Sequence, residues 1–289
     1  MIKVGVVGGS GYAGSNIIKL LENRDDVSIE IVTSGSHVGE KISSVIDVSI
    51  DLKFSALDYD KLNLLDLVFL AVPHGEAKKI VPKLTSKVID MSVDYRVNGG
   101  VYGLPEVFSD KIKKASIVGN PGCYATACIL SVYPIKDLIS KVVFDCVSGY
   151  SGAGKNAKEK YNVEENMIAY KLNDHFHVEE IEKILGHEVL FTPHVTSFFR
   201  GIMCTAHVFL KKEISEKEIK EKFEEFYKGS LTKIVSGIPC TKDVMLSPYC
   251  HIGGFEKKGD CIVIVSVIDN LLKGAASQAI ENMNIMFNL

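Results

Sequence analysis

The sequence has no apolar run approaching the roughly 20 residues that a membrane-spanning helix needs. Its first residues, Met1-Ile-Lys-Val-Gly-Val-Val-Gly-Gly, lack the basic region, longer apolar core and small-residue cleavage site of a secretory signal. There is no CxxC pair. The cysteines stand at 123, 128, 146, 204, 240, 250 and 261, irregularly spaced and odd in number. That pattern argues against a disulfide framework or a zinc cluster, and for a reducing, cytoplasmic setting with no metal. An excess of one charge is missing too: the formal net charge is -3, and lysines alternate with acids. No basic stripe offers itself to nucleic acid. Internal repeats and low-complexity linkers are absent as well. Arginine is scarce, so Arg96 and Arg200 stand out in a lysine-rich chain.

What is present is core-forming material. The 289 residues are 46% hydrophobic and 24% charged, enough for one large or two modest domains and too apolar for a disordered chain. Strand-length apolar runs (2–7, 28–33, 65–72, 87–91) alternate with helix-length amphipathic stretches such as 13–22 in the first half. This alternation predicts an α/β fold with a parallel sheet covered by helices. The second half reads differently. Strands at 141–148, 189–192, 202–210 and 261–268 are separated by long excursions and a charged amphipathic helix at 215–227. An α+β domain is expected over 146–269. Residues 1–145 and 270–289 form the other domain, with a well-buried helix at 273–287.

Gly8-Gly-Ser10-Gly11-Tyr12-Ala13-Gly14 joins the first strand to the first helix. Glycines at 8, 11 and 14 permit a tight turn, close approach of backbone to a pyrophosphate and close helix–strand packing, and the helix N-terminus favours anions. A dinucleotide-binding Rossmann domain is the expectation; a ligand-free glycine turn is the plainer alternative. The second strand ends Ile31-Val-Thr33-Ser34-Gly35-Ser36, with no carboxylate for ribose hydroxyls. Thr33 and Ser34 offer hydroxyls to a 2′-phosphate, so NADP(H) is favoured, with Lys41 as a guess for its cationic partner.

Cys123 follows Pro121-Gly122 and opens an apolar helical stretch. A thiolate there is stabilised by the helix dipole and unpaired N–H groups, which could also hold an oxyanion. Cys128, Cys146, Cys204 and Cys261 sit in apolar runs and read as buried small hydrophobes. A nucleophilic thiol beside a nicotinamide site points to reduction or oxidation through a thioester.

The chain resembles the N-acetyl-gamma-glutamyl-phosphate reductase family, within the aspartate-semialdehyde-dehydrogenase-like group. The resemblance runs almost end to end, through Gly8–Gly14, Ile89–Arg96, Tyr102–Glu106, Gly119–Ala127, Ser148–Lys155, His175–Ile181, Phe191–His194, Arg200-Gly-Ile and Asp269-Asn-Leu-Leu-Lys-Gly-Ala275. It implies a Rossmann domain completed by the C-terminal helix, and a middle catalytic and oligomerising domain that builds dimers or tetramers. It implies that Cys123 attacks an acyl phosphate, with NADPH as reductant, in arginine biosynthesis. His177 or His175 would be the acid/base, with His177 preferred. Arg96, Asn120, Arg200 and His194 would meet the substrate, and Ser151, Gly152 and Asn270 the cofactor. The chain departs from the family where Phe176 replaces an arginine between the two histidines, where Ala125 replaces a proline, and where residues 97–101 are a shortened segment. Such drift leaves room for another acyl phosphate, including an aminoadipyl group borne on a small acidic carrier protein. A non-catalytic dinucleotide sensor would need the glycine turn but not the cysteine segment.

Overall fold

Valine- and isoleucine-rich runs in the first half form six strands: β1 (Ile2–Val7), β2 (Val27–Thr33), β3 (Leu67–Leu70), β4 (Lys87–Asp90), β5 (Val101–Tyr102) and β6 (Ile117–Gly119). In the computed structural model, which describes residues 1–154, 156–172 and 174–289, they pair in parallel in the order β2-β1-β3-β4-β6-β5. Strands of such a sheet are covered on both faces, and every residue of β3 is accordingly buried. Helix α1 (Tyr12–Leu21) turns Gly14, Ile17, Ile18 and Leu21 inward, one stripe at helical spacing. The C-terminal helix (Ala276–Phe287) packs on α1, on α2 (Pro105–Lys113) and on β4. Its Ala276, Ala279, Ile280, Met283 and Met286 join the core of this first unit.

The sequence gives no composition change at the true boundary, and the expected one near 145 is displaced. Contacts divide the chain into Met1–Gly122 with Ala275–Leu289, and Cys123–Gly274. The reason is helix α3 (Cys123–Val132), which packs on two strands of the second sheet.

That second sheet holds β7 (Ile139–Gly149), β8 (Met167–Ala169), β9 (Leu190–Thr196), β10 (Ile202–Leu210), β11 (Thr232–Ile234), β12 (Cys250–Lys258) and β13 (Cys261–Ile268), in the order β11-β12-β13-β10-β7-β9-β8. It is mixed: β7 runs parallel to β9, and β10 antiparallel to both β7 and β13. Along β10, Ile202, Cys204, Ala206, Val208 and Leu210 alternate inward, and α3 lies against β10 and β13. Helix α4 (His177–Leu185) packs on α3. The charged helix α5 (Glu216–Phe226) begins with a capping box in which Ser215 and Glu218 exchange hydrogen bonds. Among the described residues no helix is long and apolar enough to cross a membrane.

Within the first unit, buried Asn282 ties the C-terminal helix to two loops. Its amide nitrogen donates to the Gly103 carbonyl at 2.9 Å and to Asn120 Oδ1 at 3.0 Å. Asn282→Ala leaves both acceptors in the interior without that donor, and is expected to destabilise the chain by about 1–3 kcal/mol. Urea titration of the variant reads this as a lowered midpoint at unchanged slope.

Candidate active site

In the first unit, the turn after β1 is built by glycines with different obligations. Gly8 has φ +83°, and a Cβ there would strike the Ala71 carbonyl oxygen at 2.3 Å. A Cβ at Gly14 would meet Gly8 O at 2.5 Å and Gly9 Cα at 2.8 Å. Both are required by packing. At Gly11 the nearest atom would be Gly8 O at 3.5 Å, ordinary contact, so the protein itself has room for a side chain there. Gly11 also offers α1 no side-chain cap. The turn fits a pyrophosphate brought close to backbone at the one glycine that the fold does not need.

Beside the turn the ends of β1 and β2 are joined by hydroxyls. Gly8 N donates to Thr33 Oγ1 at 3.3 Å, Ser10 Oγ and Ser34 Oγ lie 2.9 Å apart, and Ser36 N donates to Ser34 Oγ at 3.3 Å. Thr33 and Ser34 are buried. Lys41, the guessed cation, pairs instead with exposed Asp51 at 3.2 Å.

The segment after β4 is organised by Asp90, fully buried, which accepts from Ser92 N, Ser92 Oγ and Tyr95 N. Burial raises its carboxyl above the usual range, and these donors oppose the rise. The turn delivers Arg96, whose Nε donates to the Asn120 carbonyl at 2.8 Å and whose second terminal nitrogen donates to Met91 O at 3.0 Å. The guanidinium is thereby fixed against the residues that lead to the cysteine. Asp94 accepts from the Gly75 and Lys78 amides. The Asn120 amide donates to Ala275 O at 3.1 Å and accepts from Asn282, tying it to the C-terminal helix.

In the second unit, Cys123 is the first residue of α3 and partly exposed, whereas every later residue of that helix is buried. A Cβ on Gly274 would fall 2.7 Å from Cys123 Cβ, so the turn after β13 can pass the cysteine only as glycine. Tyr124 is the hub beside the thiol. Its hydroxyl donates to the His194 carbonyl at 2.7 Å, and burial pushes its phenol well up, so it stays protonated. The rings of His175 and His177 meet it edge-on, with centroids 5.7 and 5.8 Å away.

The two histidines differ. His175 Nδ1 accepts from His177 N at 3.2 Å and so serves the start of α4. His177 Nε2 lies 4.0 Å from Glu180 Oε2, one turn along the same helix, and both side chains are buried. A carboxylate behind an imidazole is the arrangement that orients a general base. Phe176, between the two histidines, stacks on His175 at 4.6 Å.

Several expected ligand contacts are committed to each other within this unit. Asn270 Oδ1 accepts from Gly201 N at 2.7 Å and its Nδ2 donates to Ser151 Oγ at 2.9 Å. Gly152 approaches the same knot: a Cβ there would meet Ser148 Oγ at 3.0 Å. Arg200 donates from one terminal nitrogen to Asp269 Oδ2 at 3.0 Å, and Asp269 also takes the Leu246, Leu271 and Leu272 amides. His194 Nδ1 lies 3.3 Å from Cys146 O. Lys155, part of the glycine-rich motif, lies outside the described residues. Sequence reasoning missed Tyr124 and Gly274, whose roles depend on distant partners. It also left Glu180 unused, although its place three residues after His177 was a visible signal.

Residues 3–115 match the family model for the semialdehyde dehydrogenase NAD binding domain, and residues 123–270 that for the semialdehyde dehydrogenase dimerisation domain. The N-acetyl-gamma-glutamyl-phosphate reductase of Methanococcus vannielii is 41% identical, the alignment covering 99% of this chain and 95% of the relative. That of Archaeoglobus fulgidus is 39% identical over the same shares. Aspartate semialdehyde dehydrogenase II from Vibrio cholerae superposes with a TM-score of 0.82 at 17% identity, covering 100% of this chain and 98% of that one. The Candida albicans aspartate semialdehyde dehydrogenase with NADP gives 0.81 at 15% identity, covering 100% and 99%. These two show the fold.

The unequal glycines make a direct test of the turn. Gly11→Ala should leave thermal stability near wild type yet weaken dinucleotide binding about tenfold or more, read by titration calorimetry. Gly14→Ala should instead lose about 1–3 kcal/mol of stability through overpacking.

Proposed function

The chain belongs to the N-acetyl-gamma-glutamyl-phosphate reductase family of semialdehyde dehydrogenases, and from that premise we propose that it reduces N-acetyl-gamma-glutamyl phosphate to the semialdehyde and phosphate through a thioester on Cys123. The observation that carries the reading is the placement of Cys123 at the one accessible end of a buried helix whose next residue, Tyr124, meets the His175 and His177 rings edge-on.

The thiolate sulfur bonds to the acyl carbon, and the carbon–oxygen bond to phosphate breaks with its electron pair on the leaving group. The first amides of α3 have no partners within the helix and would stabilise the charge that the carbonyl oxygen gains, as a helix N-terminus favours. Arg96, held rigid by two carbonyls, supports recognition of the phosphoryl group through its planar fork. When bound, NADPH supplies a hydride to the thioester carbonyl. His177 manages the proton as the resulting thiohemiacetal gives up aldehyde and the thiolate returns, with the Glu180 carboxylate 4.0 Å from its Nε2. His175 is a positioning residue in this scheme, because its Nδ1 serves the start of α4.

The residues at the cofactor turn fit NADP(H) better than NAD. The hydroxyls of Ser10, Ser34 and Ser36 cluster at the end of β2 with no carboxylate among them to repel a 2′-phosphate. The unit containing α3 is the proposed seat of homo-oligomer formation, given the dimerisation-domain model that it matches. A cytoplasmic biosynthetic role in arginine formation completes the reading.

Cys123→Ser should lower turnover by roughly three orders of magnitude or more while NADPH binding stays within about twofold of wild type. Full turnover in that variant would end the covalent route. Ser34→Asp should shift the ratio of kcat/KM for NADPH over NADH downward by about tenfold or more, through repulsion of the 2′-phosphate. Assaying free N-acetyl-gamma-glutamyl phosphate against an aminoadipyl analogue joined to an acidic carrier protein reads the substrate; preference for the joined analogue would replace the proposed one.

A further inference from the structure

Three cysteines that the proposed chemistry does not use meet in the core of the second unit. Cys128 comes from α3, Cys146 from β7 and Cys204 from β10, and all three are fully buried. Cys146 and Cys204 stand directly opposite each other across the antiparallel β7–β10 pair, and Cys128 descends on them from the helix. Its sulfur is 3.5 Å from that of Cys146 and 3.7 Å from that of Cys204, and all three sulfurs lie within 4.8 Å of one another. Among the described residues this is the one such gathering of potential ligand atoms.

We propose that Cys128, Cys146 and Cys204 form a three-sulfur site for a soft, monovalent d10 cation, with Cu(I) as the biological ion. Three sulfurs around a metal at about 2.3 Å stand about 4.0 Å apart in a trigonal plane, close to the spacing already present. The donor set selects the ion. Structural zinc sites are four-coordinate, and no histidine or carboxylate joins the cluster among the described residues. Of the nearby hydroxyls, Ser131 donates to Cys128 O and Ser266 to Ala127 O. Sulfur ligands alone suit Cu(I).

The test uses the full-length chain carrying Cys123→Ser, Cys240→Ser and Cys261→Ser, which removes the solvent-reachable thiols. Under anaerobic conditions it is incubated with Cu(I) supplied as its acetonitrile complex and then desalted. About one copper per chain should remain, with an X-ray absorption spectrum fitted by three sulfurs and no nitrogen or oxygen. Adding Cys146→Ala or Cys204→Ala should cut retained copper to about a tenth or less. A folded parent chain that retains no copper would overturn the proposal, as would retention indifferent to both alanine variants or a spectrum with fewer than three sulfurs. If an alanine variant fails to fold, the parent chain's stoichiometry and spectrum decide.

Discussion

Everything proposed for the thiol depends on a helix that cannot move. Helix α3 is apolar on every side and buried at every residue after Cys123, with two strands of the second sheet on one flank and α4 on another. Such a helix has no solvent face about which to rotate, and close-packed interiors transmit any shift to their neighbours. Ser266 Oγ donates to Ala127 O and Tyr227 Oη to Leu130 O, so even its carbonyls are gripped from outside. Cys123 is therefore placed by its own helix from below and by Gly274 from the side, where a single added carbon would collide.

Polar residues that the sequence singles out are tied into their own units. Asn120, Asn270, Ser151 and Asp269 are each bonded to a backbone or side-chain group of a neighbouring turn. Buried polar groups need partners, and a loop built to hold a reacting group consumes many of them. The proposed chemistry asks for few groups: the sulfur, an imidazole and a guanidinium.

The legible part of the fold was the part written in local periodicity. Strands such as Ile202–Leu210 and Cys261–Ile268 coincide with their apolar runs, and the helix over Glu216–Phe226 lies within its predicted span because Ser215 and Glu218 announce its start. The turn at Gly8–Gly14 and the cysteine at a helix start were legible for the same reason: strand, glycines and helix are contiguous. The domain boundary was not, since α3 is as apolar as the strands around it and no linker marks Gly122. Nor was the fate of Asn270, whose partner Ser151 is 119 residues away. The three core cysteines were read singly as small hydrophobes because their spacing of 18 and 58 residues carries no motif; only strand register and the descent of α3 bring them together.

Glycine is where fold and function can be separated most cleanly. A glycine that the backbone demands, as at Gly8 with its positive φ or Gly14 against Gly8, is explained by packing and says nothing about a ligand. A glycine with room around it has no such explanation. Gly11 is of the second kind: the chain could hold an alanine there at no steric cost, yet the position lies at the start of α1, where the helix N-terminus favours anions. The missing carbon fits another molecule, whose backbone-close phosphates would occupy the space that the protein leaves.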